Sequence, residues 1–271
     1  FFSYGPVNPK LHYYSPRNEL IDKAYLKLMG DNPGTDGHFM TVWAPRQCGK
    51  TWMMQQILFR LQADSRYHAL KINLEHLKGE NDVSLIIRAI AEEIGEGLRQ
   101  DFSNVQTKTE FQKIFRKSVL DKPLVLILDE FDALPEKGIQ AIVSAFRNIY
   151  IKRLDESAKP QDQKTYFLHA VALIGVRSVV GVENTKGSPF NVQRNLHIPN
   201  LSFDEVQGMF HWYEKESGQA VQPDAVKRLY DETAGQPGLT CWFGELLTEG
   251  IENHKISRNR EINTRDFEII H

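Results

Sequence analysis

The sequence is short of cysteine, of charge of one sign and of long apolar runs, and each shortage removes a class of protein. Cys48 and Cys241 are the only cysteines in 271 residues. They stand far apart and match no zinc-ligand spacing, which argues against a disulfide framework and for a reducing compartment. The nine histidines show no H-E-x-x-H or comparable ligand pattern. No apolar run approaches the roughly 20 residues that span a bilayer, and the longest, "PLVLIL" and "AVALIG", are strand-sized. A cytoplasmic chain with no membrane partner is therefore expected. The net charge of −2 supplies no general basic field, so nucleic acid could be held only through a local patch.

What is present is ordinary for a globular chain: 41% hydrophobic and 25% charged residues. The length allows one α/β domain with a smaller companion. The chain begins at Phe1 without Met and stops inside the apolar pattern "FEIIH", which leads us to expect a piece of something longer.

Helical and strand patterns alternate through the first 200 residues. A helix is expected from Pro16, capped by Ser15, with Leu20, Ile21, Ala24, Tyr25, Leu28 and Met29 at helical spacing. The strand "FMTVWA" follows the loop "GDNPGTDG". A helix from Lys50 to about Ala63, the strand "HALKINL", a helix Val83 to Leu98 and a helix Thr109 to Val119 opened by a Thr109/Gln112 capping box come next. "PLVLILD" reads as a central strand, Glu136 to about Leu154 as a helix, and "YFLHAVALIG" and "NLHIPNL" as further strands. Strands separated by helices imply a parallel sheet with right-handed crossovers. Beyond Ser202 the pattern is helical only, with a Ser202/Glu205 capping box, a Pro223 helix start and a left-handed stop at Gly235. In "LTCWFGELL", Leu239, Trp242, Phe243, Leu246 and Leu247 are expected on the apolar side. We expect one domain over residues 1–200 and a second over 201–271.

Between the first strand and the next helix lies "WAPRQCGKT", Trp43 to Thr51. A phosphate-binding loop reads G-x-x-x-x-G-K-S/T: backbone N–H groups wrap the phosphates, Lys reaches the outer ones and Ser/Thr holds Mg²⁺. Gly49, Lys50 and Thr51 are intact, but Ala44 replaces the first Gly and Cys48 stands where many such loops have another. Ala44 is tolerable if its φ stays negative. Cys48 is either a compact spacer or, near a helix N-terminus, a thiol of lowered pKa. Such loops work with an acid at the end of a buried strand that holds the metal and a carboxylate that orients water. "LVLILDEFD" offers Asp129 for the first and Glu130 for the second, against the plainer reading of two solvated acids at a strand end.

Lys50-Thr51 with Asp129-Glu130 resembles the Walker A and B pair of the AAA+ and STAND branch of P-loop ATPases, and the chain is similar to the bacterial AAA-like ATPase family related to archaeal and origin-recognition types. "YYSPRNEL", "SPFN" and "GQPGLTCWFGELLTEG", with its G-x-P element, match as well. The resemblance implies a sheet of order 5-1-4-3-2 with helices on both faces, then a helical lid leading toward a winged helix. It implies ATP and Mg²⁺ as ligands, with Ala44, Pro45, Arg46, Gln47, Cys48, Gly49, Lys50, Thr51 and Trp52 around the phosphates. Thr51 and Asp129 would hold the metal, and Lys50 and Glu130 would act in catalysis. Pro237, with Gly235, would lie near the nucleotide and report its state, unless the two only terminate helices.

Several residues have two readings each. Arg177, beyond the fourth strand in "LIGVRS", is a sensor or finger for the γ-phosphate or a surface arginine; Arg194 is a second candidate. Asn73 is a switch that restrains Glu130 or a strand-end turn residue. Tyr14 and Arg17 are expected near adenine, although an ordinary anchor explains Tyr14 equally. Lys255, Arg258, Arg260 and Arg265 meet phosphates or form a solvated loop. The leading function is an Mg-ATPase that works as a conformational switch or oligomerising motor, with a second copy or an attached effector domain as partner. The alternatives are a signalling or binding module with little hydrolysis and a DNA-associated ATPase using its C-terminal region.

Overall fold

A computed structural model describes residues 1–3, 5, 7–30, 32, 37–175, 194–250, 257 and 259–270, with the backbone alone at 194, 269 and 270. It divides into two compact units. A sheet unit comprises Glu19–Pro45 and Met53–His197, and a helical unit comprises Phe1–Asn18, Arg46–Trp52 and Ile198–His271.

The sheet unit is built on β1 (Phe39–Trp43), β2 (His68–Asn73), β3 (Leu124–Asp129), β4 (Leu168–Gly175) and β5 (Arg194–His197). Their order is β2-β3-β4-β1-β5 and every pairing is parallel, which is the order the resemblance implied. β3 and β4 are buried along their whole length, because a parallel sheet covered on both faces tolerates no alternation of apolar and polar residues. On one face, α3 (Val83–Leu98) and α5 (Glu136–Asp155) bring Ile86, Ile90, Ile94, Ile142, Phe146 and Ile149 into a core with Leu126, Leu128 and Val171. The other face, with Val125, Ile127 and Ala172, is buried as completely. All five carboxyl ends share one edge, and β1 and β3 flank β4 there.

Two helix starts differ from the expected ones. α1 runs Asn18–Met29, not from Pro16, because Arg17 takes a left-handed φ of 49° and Ser15, instead of capping, donates its hydroxyl to Glu205 at 3.1 Å. α4 is shorter than expected, Lys108–Ile114, and its capping box is Thr107 with Glu110, not Thr109 with Gln112. Gln112 faces inward, its amide donating to the Ala145 carbonyl at 3.3 Å.

The helical unit consists of α6 (Phe203–Ser217), α7 (Pro223–Thr233), α8 (Pro237–Glu249) and the short α9 (Phe267–Ile270) around Met209, Phe210, Leu229, Leu247, Ile262 and Phe267. Ser202 and Glu205 form the expected capping box. The chain turns from α7 to α8 through two left-handed residues, Ala234 at φ 48° and Gly235 at φ 67°. A Cβ at Gly235 would stand 2.1 Å from the Leu201 carbonyl oxygen, so only Gly fits. α8 corrects an expectation: Leu239 and Trp242 are exposed, and the buried line is Thr240, Gly244, Leu247 and Thr248. The threonines can be buried because Thr248 bonds the Gly244 carbonyl at 2.8 Å and Thr240 pairs with Thr233 at 3.2 Å, leaving no unmet hydroxyl. Among the described residues no helix is long and apolar enough to cross a membrane.

Candidate functional site

The loop that follows β1 uses its left-handed positions differently from what its sequence implies. Ala44 is fully buried and is not among the residues with positive φ, so the missing first Gly costs nothing. The left-handed residues are Gln47 at φ 58° and Gly49 at φ 80°, and α2 (Lys50–Gln62) starts directly after them. Gln47 accepts a conformation that costs an L-residue about 1–2 kcal/mol. It is held there by α8: its carbonyl accepts the Gly238 N–H at 3.0 Å, and the preceding Arg46 carbonyl accepts the Gln236 side-chain amide at 2.9 Å. A Cβ on Gly238 would come within 2.6 Å of Gln47. Pro237, between these two donors, opens α8, while Gln236 caps it by accepting the Leu239 N–H.

Cys48 is buried, with its thiol 3.8 Å from the Asn200 side-chain oxygen. Burial pushes the thiol pKa up despite the opposing charges of Lys50 and Arg17. That direction is opposite to the low-pKa reading of Cys48. Lys50 is 7% exposed, whereas Thr51 is open to solvent. Trp52 packs edge-on to Tyr14 at 5.6 Å, Tyr14 in turn meets Trp212 of α6 at 5.8 Å, and the Trp52 indole N–H is buried without a hydrogen bond. Arg17 is occupied within the helical unit: Nη1 and Nη2 donate to the Pro199 and Asn200 carbonyls at 3.0 and 3.2 Å. Its Nε lies 3.0 Å from Glu205 as an ion pair outside hydrogen-bond geometry.

In the sheet unit, Asp129 ends β3 and is 1% exposed. One oxygen accepts the Glu130 N–H at 3.1 Å. The other, Oδ2, lies 2.8 Å from the Lys71 ammonium of β2, at ion-pair distance but without hydrogen-bond geometry. Glu130 leaves the strand at a left-handed φ of 53° and is half-buried, so the chain breaks sharply after the acid. Asn73 ends β2 opposite Asp129. Its side-chain oxygen accepts the Glu75 N–H at 2.8 Å, which is the turn role and not the restraint of Glu130. Arg177 lies outside the described residues, as does "SPFN", and Arg194 is described only as backbone at the start of β5. In the basic tail Lys255 and Arg258 are also outside them, and Arg260 is engaged with Asp266.

The sequence did not point to Lys71, Gln236 or Gly238. Lys71 interrupts an apolar strand two residues before its end, a signal visible in "HALKIN". The α8 donors act mainly through backbone and amide groups, which leave no pattern.

Solved structures of other proteins share the fold. The Orc1 protein of Aeropyrum pernix in complex with DNA gives a TM-score of 0.61 at 18% identity, over 94% of this chain and 65% of that one. Cdc6p from Pyrobaculum aerophilum gives 0.59 at 17%, over 89% and 63%. Drosophila ORC bound to DNA gives 0.60 at 20%, over 90% and 57%. The chain thus spans less than two thirds of the length of each. No curated protein matches it. The model of the AAA-like domain family matches residues 3–259. With that match over nearly its whole length, a parallel sheet in this order and a Gly-Lys-Thr loop between β1 and α2, the chain belongs to the AAA-like domain family.

Proposed function

We propose that this chain binds Mg-ATP and hydrolyses it, and that the bound nucleotide sets the state of the helical unit. The carrying observation is that the strands leading to the two motifs, β1 and β3, end at one edge of the same parallel sheet with only β4 between them. The Gly49-Lys50-Thr51 turn at the start of α2 supplies N–H donors and a helix N-terminus suited to phosphate. In this reading Lys50 neutralises outer phosphate oxygens, and Glu130 takes the proton of the water that attacks the γ-phosphorus, releasing ADP and phosphate. Asp129 and Thr51 offer hard oxygen donors of the kind magnesium takes, and the buried Asp129 Oδ2 makes no hydrogen bond. Magnesium, when bound, supplies charge neutralisation on the β- and γ-phosphates. The switch reading is supported by the grip of Gln236 and Gly238 on the Arg46 and Gln47 carbonyls, since a loop that closes on phosphate carries those carbonyls with it. Arg17 serves as a strut for the segment that bears Tyr14, and Arg177 remains our candidate for a γ-phosphate contact. A second copy or an attached effector domain would receive the output.

Replacing Glu130 with Gln tests the assignment. ATP affinity should stay within a few-fold of the parent while phosphate release falls by about 10²–10⁴. A variant that releases phosphate at the parent rate refutes Glu130 as the base, and a parent that binds ATP without turnover leaves the binding-module reading in its place.

A further inference from the structure

Lys71 has no place in the loop-and-acid scheme, yet it makes the one ion pair of Asp129 among the described residues. β2 and β3 are in register with Lys71 beside Ile127 and Asn73 beside Asp129. Residues two apart on a strand share a face, so the lysine stem runs along β3 and its ammonium reaches the carboxylate, 2.8 Å from Oδ2. The two side chains are 14% and 1% exposed. A carboxylate so deeply buried bears a heavy desolvation penalty unless a charge compensates it. We propose that Lys71 is a built-in counter-ion of Asp129, which magnesium must displace from Oδ2, so that this lysine sets the magnesium concentration at which the nucleotide site becomes competent.

The inference rests on the reading of Asp129 as a magnesium ligand. Lys71 is a positioning residue in it, acting through the aspartate and not on the nucleotide. Two features fit the role. Lysine is a compact charge on a flexible four-carbon stem, able to swing aside as a bidentate arginine held in a fork is not. Its partial exposure gives the ammonium a way to water when a doubly charged ion takes its place.

The test uses the full chain and ADP carrying a fluorescent ribose label, titrated with magnesium from an EDTA baseline. Lys71→Met should lower the magnesium concentration at half-maximal binding by about tenfold, because the competing cation is gone and the bare carboxylate gains more from the metal. Lys71→Arg, which keeps the charge but can hold the carboxylate in a fork, should not fall below the parent value and should rise above it if the fork forms. In EDTA without nucleotide, Lys71→Met should melt several degrees lower, and adding Asp129→Asn should restore that loss. If Lys71→Met does not fold, the double variant must, since it removes both charges together; a double variant that also fails overturns the counter-ion role. A magnesium-dependent parent with an unchanged midpoint in Lys71→Met likewise overturns it. A parent that binds the labelled ADP with an affinity that ignores magnesium refutes the reading of Asp129 as a magnesium ligand, whereas a parent that does not bind ADP at all refutes the nucleotide-site reading itself.

Discussion

Acidification to pH 5.0 should weaken the sheet unit by about 2 kcal/mol through a single residue, His169. It is the second residue of β4, fully buried within an otherwise apolar strand. Its Nδ1 lies 3.3 Å from the Gln161 side-chain oxygen, its Nε2 is buried with no hydrogen bond, and its ring packs 4.9 Å from Tyr67. Burial above all, then the positive charges of Arg153 and Lys164 and the neighbouring His38 and Arg66, push the imidazole down from 6.5 to about 3. Between those values the unfolded chain takes up a proton that the folded chain refuses. Stability is therefore complete above pH 6.5 and declines as pH falls toward 3. At pH 5.0, one and a half pH units below the ordinary histidine value, the loss is about 2 kcal/mol at about 1.36 kcal/mol per unit, or roughly 4–8 °C in melting temperature for a chain of this size. His169→Leu removes the titrating group and the unmet nitrogen together, and leaves Gln161 its bond from Arg153 at 2.9 Å. Melting curves at pH 7.5, 6.0 and 5.0 read the effect as the difference between parent and variant. That difference should shift by about 2 kcal/mol in favour of the variant between pH 7.5 and 5.0. Parallel acid slopes would refute the reasoning. Because His169 sits at the amino end of β4, the variant should bind nucleotide at pH 7.5 as the parent does.

Three further substitutions probe the helical unit. Gly235→Ala combines a φ of +67° with a Cβ 2.1 Å from the Leu201 oxygen, and should destabilise the unit by about 2–3 kcal/mol or more in urea denaturation; a loss below about 1 kcal/mol would show that the turn yields easily. Gln236→Ala removes both the cap on Leu239 and the amide bond to the Arg46 carbonyl. It should cost about 1–2 kcal/mol and change ATP affinity, whereas unchanged affinity would detach α8 from the loop's function. Cys48→Ala should leave ADP affinity within about twofold, as expected of a small spacer whose thiol is held protonated by burial, and a tenfold loss would reopen a chemical role for the sulfur.

Much of the sheet unit is legible from local pattern. Apolar runs such as "PLVLILD" can be covered only inside a parallel sheet, and the placement of Gly49-Lys50-Thr51 between a strand and a helix follows from short-range spacing alone. Misjudged elements are those where a distant group outbid a local one. Ser15 and Pro16 have the chemistry of a helix start, but Glu205 and the Pro199 and Asn200 carbonyls engage Ser15 and Arg17 and delay it. Leu239 and Trp242 have the hydrophobicity of a core, but threonines that meet their own hydrogen bonds take the inner face of α8.

The sequence by itself supplied the groups on which the proposed chemistry rests, an ammonium at Lys50 and carboxylates at Asp129 and Glu130, because these depend on residue type and near neighbours. Only the tertiary structure decided that Gln47, not Ala44, bears the left-handed turn, that α8 grips the loop through Gln236 and Gly238, and that Lys71 faces Asp129. These are pairings between groups far apart in the chain or on separate strands, and their geometry exists only once the backbone has folded.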